Sequence, residues 1–362
     1  MQTLPTPTVI VDLATAKRNI ARLASYGRRH DIGIRPHTKT HKSVRMAKLQ
    51  MEAGAVGLTV AKLGEAEVMA RASDDVFIAY PALDPYRSEK IAALARIKTI
   101  RVGIDSSAAA QAIAAAARSA GSVVGVLVDL DVGFHRTGLQ SPQAVLELGQ
   151  EVSRTRGLRF DGVMCFPGQI KNPANQQDQS LAPISALIEE AIDLLKHAGL
   201  EVKIVSGGST PSAYQSHLIP GLTEIRPGTY IYNDMSVVSG GYCTIDDTAV
   251  RVECTVVSDA VPGKFVIDAG TKTLTSDRRM IDPENAGFGH VVEYPQAKIV
   301  RLSEEHGEVD ASKCDRRPRL GERVHVIPNH ICPCINLHDT VMLRLEDGEL
   351  ETLPIDARGK IQ

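Results

Sequence analysis

The sequence predicts an α/β chain: a (β/α)₈ TIM barrel followed by a second, C-terminal β domain. The first two-thirds alternates short β-rich runs with alanine- and leucine-rich helical stretches, and eight such runs follow an opening strand. The runs are apolar at consecutive positions, as strands buried on both faces require. Beyond about Asp246 the helical rhythm stops, and β-like runs separated by turns take over. A doubly wound open sheet is the competing architecture, but no Gly-x-Gly-x-x-Gly follows the first strand to support it.

Taken in order, the opening strand lies near residues 8–13. Barrel strands are expected at 33–39, 56–61, 76–81, 99–105, 124–131, 160–167, 202–207 and 224–231. Helical patterns fill 43–53, 62–72, 85–96, 106–118, 142–154 and 177–198. The alanine-rich stretch from Ser107 has high helix propensity, and Asp105 and Ser106 before it are good N-caps. Later β-like runs occupy 250–257, 264–269, 297–302, 323–328 and 341–345. This divides the chain into a cofactor-binding barrel at 14–245 and a β domain at 246–362, the latter with the N-terminal strand 1–13.

Composition narrows the function. A net charge of −2 removes the electrostatic case for nucleic-acid or membrane-surface binding. The longest apolar runs, such as 123–130, are strand-sized and too short to span a bilayer. Six cysteines in 362 residues do not make a disulfide framework. The segment Met1-Gln-Thr-Leu-Pro5 lacks the basic and apolar parts of an export signal, so a cytoplasmic location is expected.

In a barrel, catalytic groups gather at the carboxyl ends of the strands. The first such end reads Arg35-Pro36-His37-Thr38-Lys39-Thr40-His41-Lys42. A lysine there can form a Schiff base with a carbonyl cofactor, and neighbouring positive charge favours its neutral amine. The seventh end, Ser206-Gly207-Gly208-Ser209-Thr210, and the eighth, with Gly228-Thr229-Tyr230, are candidates for a phosphate. Their glycines let backbone N–H groups approach an anion, and barrel phosphate sites use these two loops. An amine at one end and an anion site at the other suit pyridoxal 5′-phosphate. Arg136, after the fifth strand, could reach the cofactor ring; His37, Phe166 and Tyr230 are stacking candidates. His330 and Cys332 alternate by two along what reads as an extended segment, so both would point to one face. Imidazole plus thiolate suits a divalent metal, zinc first.

These motifs together resemble the D-threonine aldolase and D-serine dehydratase family, pyridoxal-phosphate enzymes of the alanine-racemase type. Further matches are Asp131-Val-Gly133 with Arg136 and Gly138, Asp268-Ala-Gly270-Thr-Lys272, Glu305-His306-Gly307 and the run from His330 to Asp339. The resemblance implies an alanine-racemase-like barrel plus β domain, with Lys39 carrying the cofactor and Arg136 touching its ring. Ser206, Gly207, Gly208, Ser209, Thr210, Gly228, Thr229 and Tyr230 then fall in the phosphate region. It also implies a divalent metal (zinc, alternatively manganese or magnesium) at His330 and Cys332, near the substrate's β-hydroxyl, and a homodimer. The sequence departs from the aldolases after the sixth strand, where Cys165-Phe166-Pro167-Gly168-Gln169 offers no histidine. Its His/Cys pair resembles the dehydratase branch, whereas some aldolases use His/Asp.

The expected activity is a metal-assisted lyase acting on small D-configured β-hydroxy-α-amino acids. Retro-aldol cleavage to glycine and an aldehyde stands first. Elimination to a 2-oxo acid and ammonia, as in D-serine or D-threonine dehydratase, is the alternative. A racemase would need two opposed acid/base groups and no metal, and a non-catalytic pyridoxal-phosphate carrier would usually be a barrel alone.

Overall fold

The computed structural model describes residues 4–279, 281–282 and 286–362. Residues 1–3 of the expected N-terminal strand segment lie outside it. The chain forms two compact units. One comprises residues up to Ile20 with Thr229–Arg358, the other Ala21–Gly228 with Gly359–Gln362.

The chain opens with strand β1 (Thr8–Asp12) and then the helix Leu13–His30, which the sequence reading passes over. The larger unit is the barrel. Its strands are β2 (Gly33–Ile34), β3 (Leu58–Val60), β4 (Asp75–Ile78), β5 (Thr99–Ile104), β6 (Val124–Leu130), β7 (Leu158–Cys165), β8 (Ile204–Gly207) and β9 (Glu224–Ile225). They lie in the order β2-β9-β8-β7-β6-β5-β4-β3, and every paired neighbour is parallel. Between β2 and β3 the seam is carried by single bonds, Val56 N–H to the Ile34 carbonyl and Thr59 N–H to the Pro36 carbonyl, both 2.9 Å. Pro36 has no N–H to continue the ladder, which is why β2 stops short of the expected 33–39. The helices between strands start where their caps predict. The Ser106 and Ser141 hydroxyls accept from Ala109 and Ala144 N–H, and Gly121 ends its helix at φ +64°.

The barrel interior is partly apolar, around Phe77, Leu127 and Met164. A chain of charges also links β7, β5, β4 and the residue after β2. Arg159 Nε donates to Asp161 at 2.5 Å, and Asp161 accepts from Arg101 Nε at 2.7 Å. Arg101 Nη1 lies 2.5 Å from Asp75, which also accepts from Arg35 Nη1 at 2.6 Å. Such groups survive burial because each is paired and hydrogen-bonded.

The other unit is a nine-stranded mixed sheet of β1 with β10 (Val250–Ser258), β11 (Lys264–Ile267), β12 (His290–Val291), β13 (Lys298–Leu302), β14 (Gly307–Asp310), β15 (Arg323–Ile327), β16 (Thr340–Arg344) and β17 (Leu350–Pro354). Its main path is β13-β14-β11-β10-β1-β16-β17, and β15 joins β10 to β12. The N-terminal strand β1 runs antiparallel to β10 and parallel to β16. Strict alternation along β10 buries Val250, Val252, Cys254 and Val256 on one face. No helix among the described residues is long and apolar enough to cross a membrane.

One expectation is corrected here. His330 and Cys332 do not share an extended segment. His330 is extended (φ −138°, ψ 111°), but it is the N-cap of the helix Ile331–Asn336, which contains Cys332. Pro333 falls in the first turn, where its missing N–H breaks no intrahelical bond, and the Ile331 N–H is taken by Asp234 Oδ2 at 3.0 Å.

Candidate active site

In the barrel unit, Lys39 sits on a 3₁₀ turn, Thr38–Thr40, just beyond β2. The basic run around it sorts into paired and unpaired cations. Arg35 is closed on Glu224 and Asp75. Lys42 pairs with buried Glu65 at 3.2 Å. His41 is buried, accepting from Ser43 N–H on Nδ1 and facing Gln50 Oε1 with Nε2 at 3.1 Å. The sequence suggested Arg and Lys neighbours as the electrostatic setting of Lys39, but their charges are neutralised by carboxylates. Lys39 itself is exposed: its backbone N–H donates to His37 Nδ1, but its side-chain amine has no hydrogen-bond or ion-pair partner among the described residues.

His37 caps this turn. Enclosure by protein, and then the charges of Lys39, Arg226, His41 and Arg136, push its pKa well below the ordinary imidazole value, so the ring is neutral. Arg136 lies over the rings of Phe134 and Phe166, 5.0 and 4.9 Å from their centroids. Its loop is anchored by Asp131, whose Oδ1 accepts the N–H groups of Gly133, Phe134 and His135, each at 3.0 Å. Burial opposes ionisation of Asp131, yet hydrogen bonds from His135, Gln140 and Gly133 hold its pKa down to about 2. Asp129, two residues earlier, has fewer donors, and burial pushes it up to about 6.

The glycine-rich ends form a cradle. Gly208 sits at φ +72°, a left-handed backbone that a side chain would strain. A Cβ on Gly228 would stand 3.0 Å from both the His37 carbonyl and Thr40 Oγ1, so any side chain there would push its neighbours aside. Gly208 and Gly228 are buried, and their N–H groups have no partner among the described residues. Buried N–H groups of that kind fit an anion such as phosphate. Ser209 is tied to Ser212 Oγ through N–H and hydroxyl at 3.2 and 3.0 Å. Thr210 is half-buried in the same loop, and Gly207 ends β8 with no room for a side chain beside Leu222 and Cys165. The Ser206 hydroxyl donates to Glu224 Oε1 at 2.6 Å, so it keeps no proton for an anion.

Sequence reasoning missed Arg226. It is buried and donates to Ser206 Oγ and to the Cys165 carbonyl, both at 2.7 Å. Burial lowers its pKa, against the pull of Cys165, Glu224 and Asp129. An arginine directly before Pro227-Gly228, at the end of the eighth strand, was the available signal.

The second unit carries the remaining candidates. His330 Nδ1 lies 2.7 Å from Asp277 Oδ2, which orients the ring. Burial opposes its charge, but hydrogen bonds to Cys332 and Asp277 and the charges of Cys332 and Asp234 raise it to about 9. Thr229 Oγ1 is 3.7 Å from Cys332 Sγ, and Tyr230 is buried. No group of three or more His, Cys, Asp and Glu poised for a metal occurs among the described residues. The pair nevertheless suits a divalent ion with open positions: an imidazole nitrogen, a thiol within its reach, and a carboxylate behind the imidazole. Asp234 and Asp277, which support the pair, were not foreseen. They lie 96 and 53 positions from His330.

Residues 11–236 match the model of the alanine racemase N-terminal domain, and residues 249–343 match that of the serine dehydratase domain. D-threo-3-hydroxyaspartate dehydratase from Delftia sp. (strain HT23) is 32% identical, with 97% of each chain covered. The 3-hydroxy-D-aspartate aldolase of Paracoccus denitrificans (strain Pd 1222) is 30% identical over 99% of this chain and 93% of that protein. The crystal structure of D-threonine aldolase from Filomicrobium marinum matches with a TM-score of 0.91 and 29% identity, covering 99% of this chain and 97% of that one. A cysteine-to-alanine mutant of D-threo-3-hydroxyaspartate dehydratase, in the metal-free form, matches at 0.90 with 31% identity over 97% of both. The chain therefore belongs to the fold-type III pyridoxal-phosphate lyases that join an alanine racemase N-terminal domain to a serine dehydratase domain.

Proposed function

We propose that this protein is a pyridoxal-phosphate- and divalent-metal-dependent dehydratase of small D-β-hydroxy-α-amino acids, releasing a 2-oxo acid and ammonia. The His330/Cys332 pair carries the choice of elimination over cleavage. The relative with a metal-free cysteine mutant is itself a dehydratase, and a histidine mutant of it is altered two positions before that cysteine. His330 and Cys332 have the same spacing. This supports placing elimination ahead of retro-aldol cleavage, which the sequence reading put first.

Bound at Lys39, the cofactor would act as an electron sink for Cα, and a metal at His330 and Cys332 would act as a Lewis acid on the β-hydroxyl. Gly208, Gly228 and Thr210 would hold the phosphate, and His37, Arg136 and Phe166 would line the ring. Lys39 Nζ, free of any carboxylate, would serve as the base for the Cα proton once the substrate amine has taken its place on the cofactor. Neutral His37 packs beside the ring without adding charge. Asp277 keeps His330 oriented so that Nε2 is the nitrogen offered to the ion. The protein is proposed to work as a homodimer.

Incubation of the loaded enzyme with D-threonine tests this reading. It predicts 2-oxobutanoate and ammonia, lost on chelation and restored by zinc, manganese or magnesium. Glycine with acetaldehyde would instead establish the aldolase, the reading favoured by the equally long matches to aldolases. Lys39→Ala should lose the visible absorbance of lysine-bound cofactor.

A further inference from the structure

The chain of charges inside the barrel has an end that the proposed chemistry does not yet use. From Arg159 to Glu224 every guanidinium closes on a carboxylate. Arg226 is different. It forms no direct ion pair among the described residues: it donates to a hydroxyl and a carbonyl, and its guanidinium lies 5.5 Å from the centroid of the Phe77 ring.

The direction of those bonds follows from proton counting. Arg35 Nε donates to both oxygens of Glu224, at 2.9 and 2.8 Å, which keeps that carboxylate an acceptor. The Ser206 hydroxyl has one proton, and it goes to Glu224 Oε1. Its lone pairs are then left for Arg226 Nη1, while Arg226 Nη2 is held by the Cys165 carbonyl. Two acceptors on two different nitrogens fix the plane of the guanidinium.

We propose that Glu224 and Ser206 are positioning residues: they lock Arg226 in the orientation in which its remaining N–H groups meet the cofactor ring. This rests on the reading that the barrel holds pyridoxal phosphate, and it assigns Ser206 to the arginine and not to the phosphate. Glu224→Gln keeps the shape but lets the amide donate to Ser206. The hydroxyl would then turn its proton toward Arg226, where two donors would face each other.

The test uses the full-length enzyme and three readouts: visible absorbance maximum, cofactor dissociation constant, and melting temperature without cofactor. Ser206→Ala should shift the maximum and weaken cofactor binding by about tenfold, with little change in melting. Ser206→Thr should restore both, and Glu224→Gln should shift the maximum as Ser206→Ala does. An unchanged maximum and affinity in Ser206→Ala overturns the proposal, whether or not melting falls. If the unaltered protein shows no visible band with cofactor, the cofactor reading itself fails.

Discussion

Arg35 and Glu224 form a buried bidentate pair, with Arg35 Nε 2.9 and 2.8 Å from the two carboxylate oxygens. Both residues are almost wholly enclosed, at 3% and 4% exposure. The strongest cation of the opening basic run is therefore part of the barrel's framework and not of the reacting centre.

Arg35→Met tests that assignment. It would leave Glu224 and Asp75 without their shared partner, a loss that costs about 3–5 kcal/mol when the abandoned charge is buried. Urea unfolding of the cofactor-free protein should show it. A cost below about 1 kcal/mol would mean the pair is dispensable.

Asp129 makes stability depend on pH. Its carboxyl holds a proton to about pH 6 in the folded protein, against 3.8 for the ordinary group. Between those values the native state binds more protons than the unfolded chain, so this contribution falls as pH rises through the window. The effect is on the order of 3 kcal/mol at most. Asp129→Asn should flatten the stability profile between pH 4 and pH 6.5. Parallel profiles for the two proteins would refute the assignment.

Asp277 acts on His330 through Nδ1 at 2.7 Å. Asp277→Ala should lower metal affinity by about 10- to 100-fold, as removal of a carboxylate behind a ligating histidine does. Isothermal titration of the metal-stripped protein with zinc would measure it. Unchanged affinity would remove His330 from the metal site or Asp277 from its support.

Much of the fold was legible because its signals are local. Strand runs, serine caps and glycine breaks act over a few residues, and they placed all eight barrel strands. The first and eighth end five and six residues earlier than expected, the eighth giving way to a 3₁₀ turn at Thr229–Ile231. The segment around His330 was misread because alternation by two looks the same at the start of a short helix as in a strand. The backbone bonds of the helix Ile331–Asn336, such as Leu337 N–H to the Cys334 carbonyl, show which it is.

The same division runs through the site. The sequence by itself determined a lysine after the first barrel strand, glycines at the seventh and eighth, and a histidine–cysteine pair in the second domain. These depend on residue type and spacing along the chain. Tertiary structure alone decided which cations remain free. Arg35 finds Glu224 across 189 positions, Lys42 finds Glu65, and the side-chain amine of Lys39 finds no partner among the described residues. Ion pairing in an interior is a contest between groups brought together from distant strands, and its outcome is set by the fold.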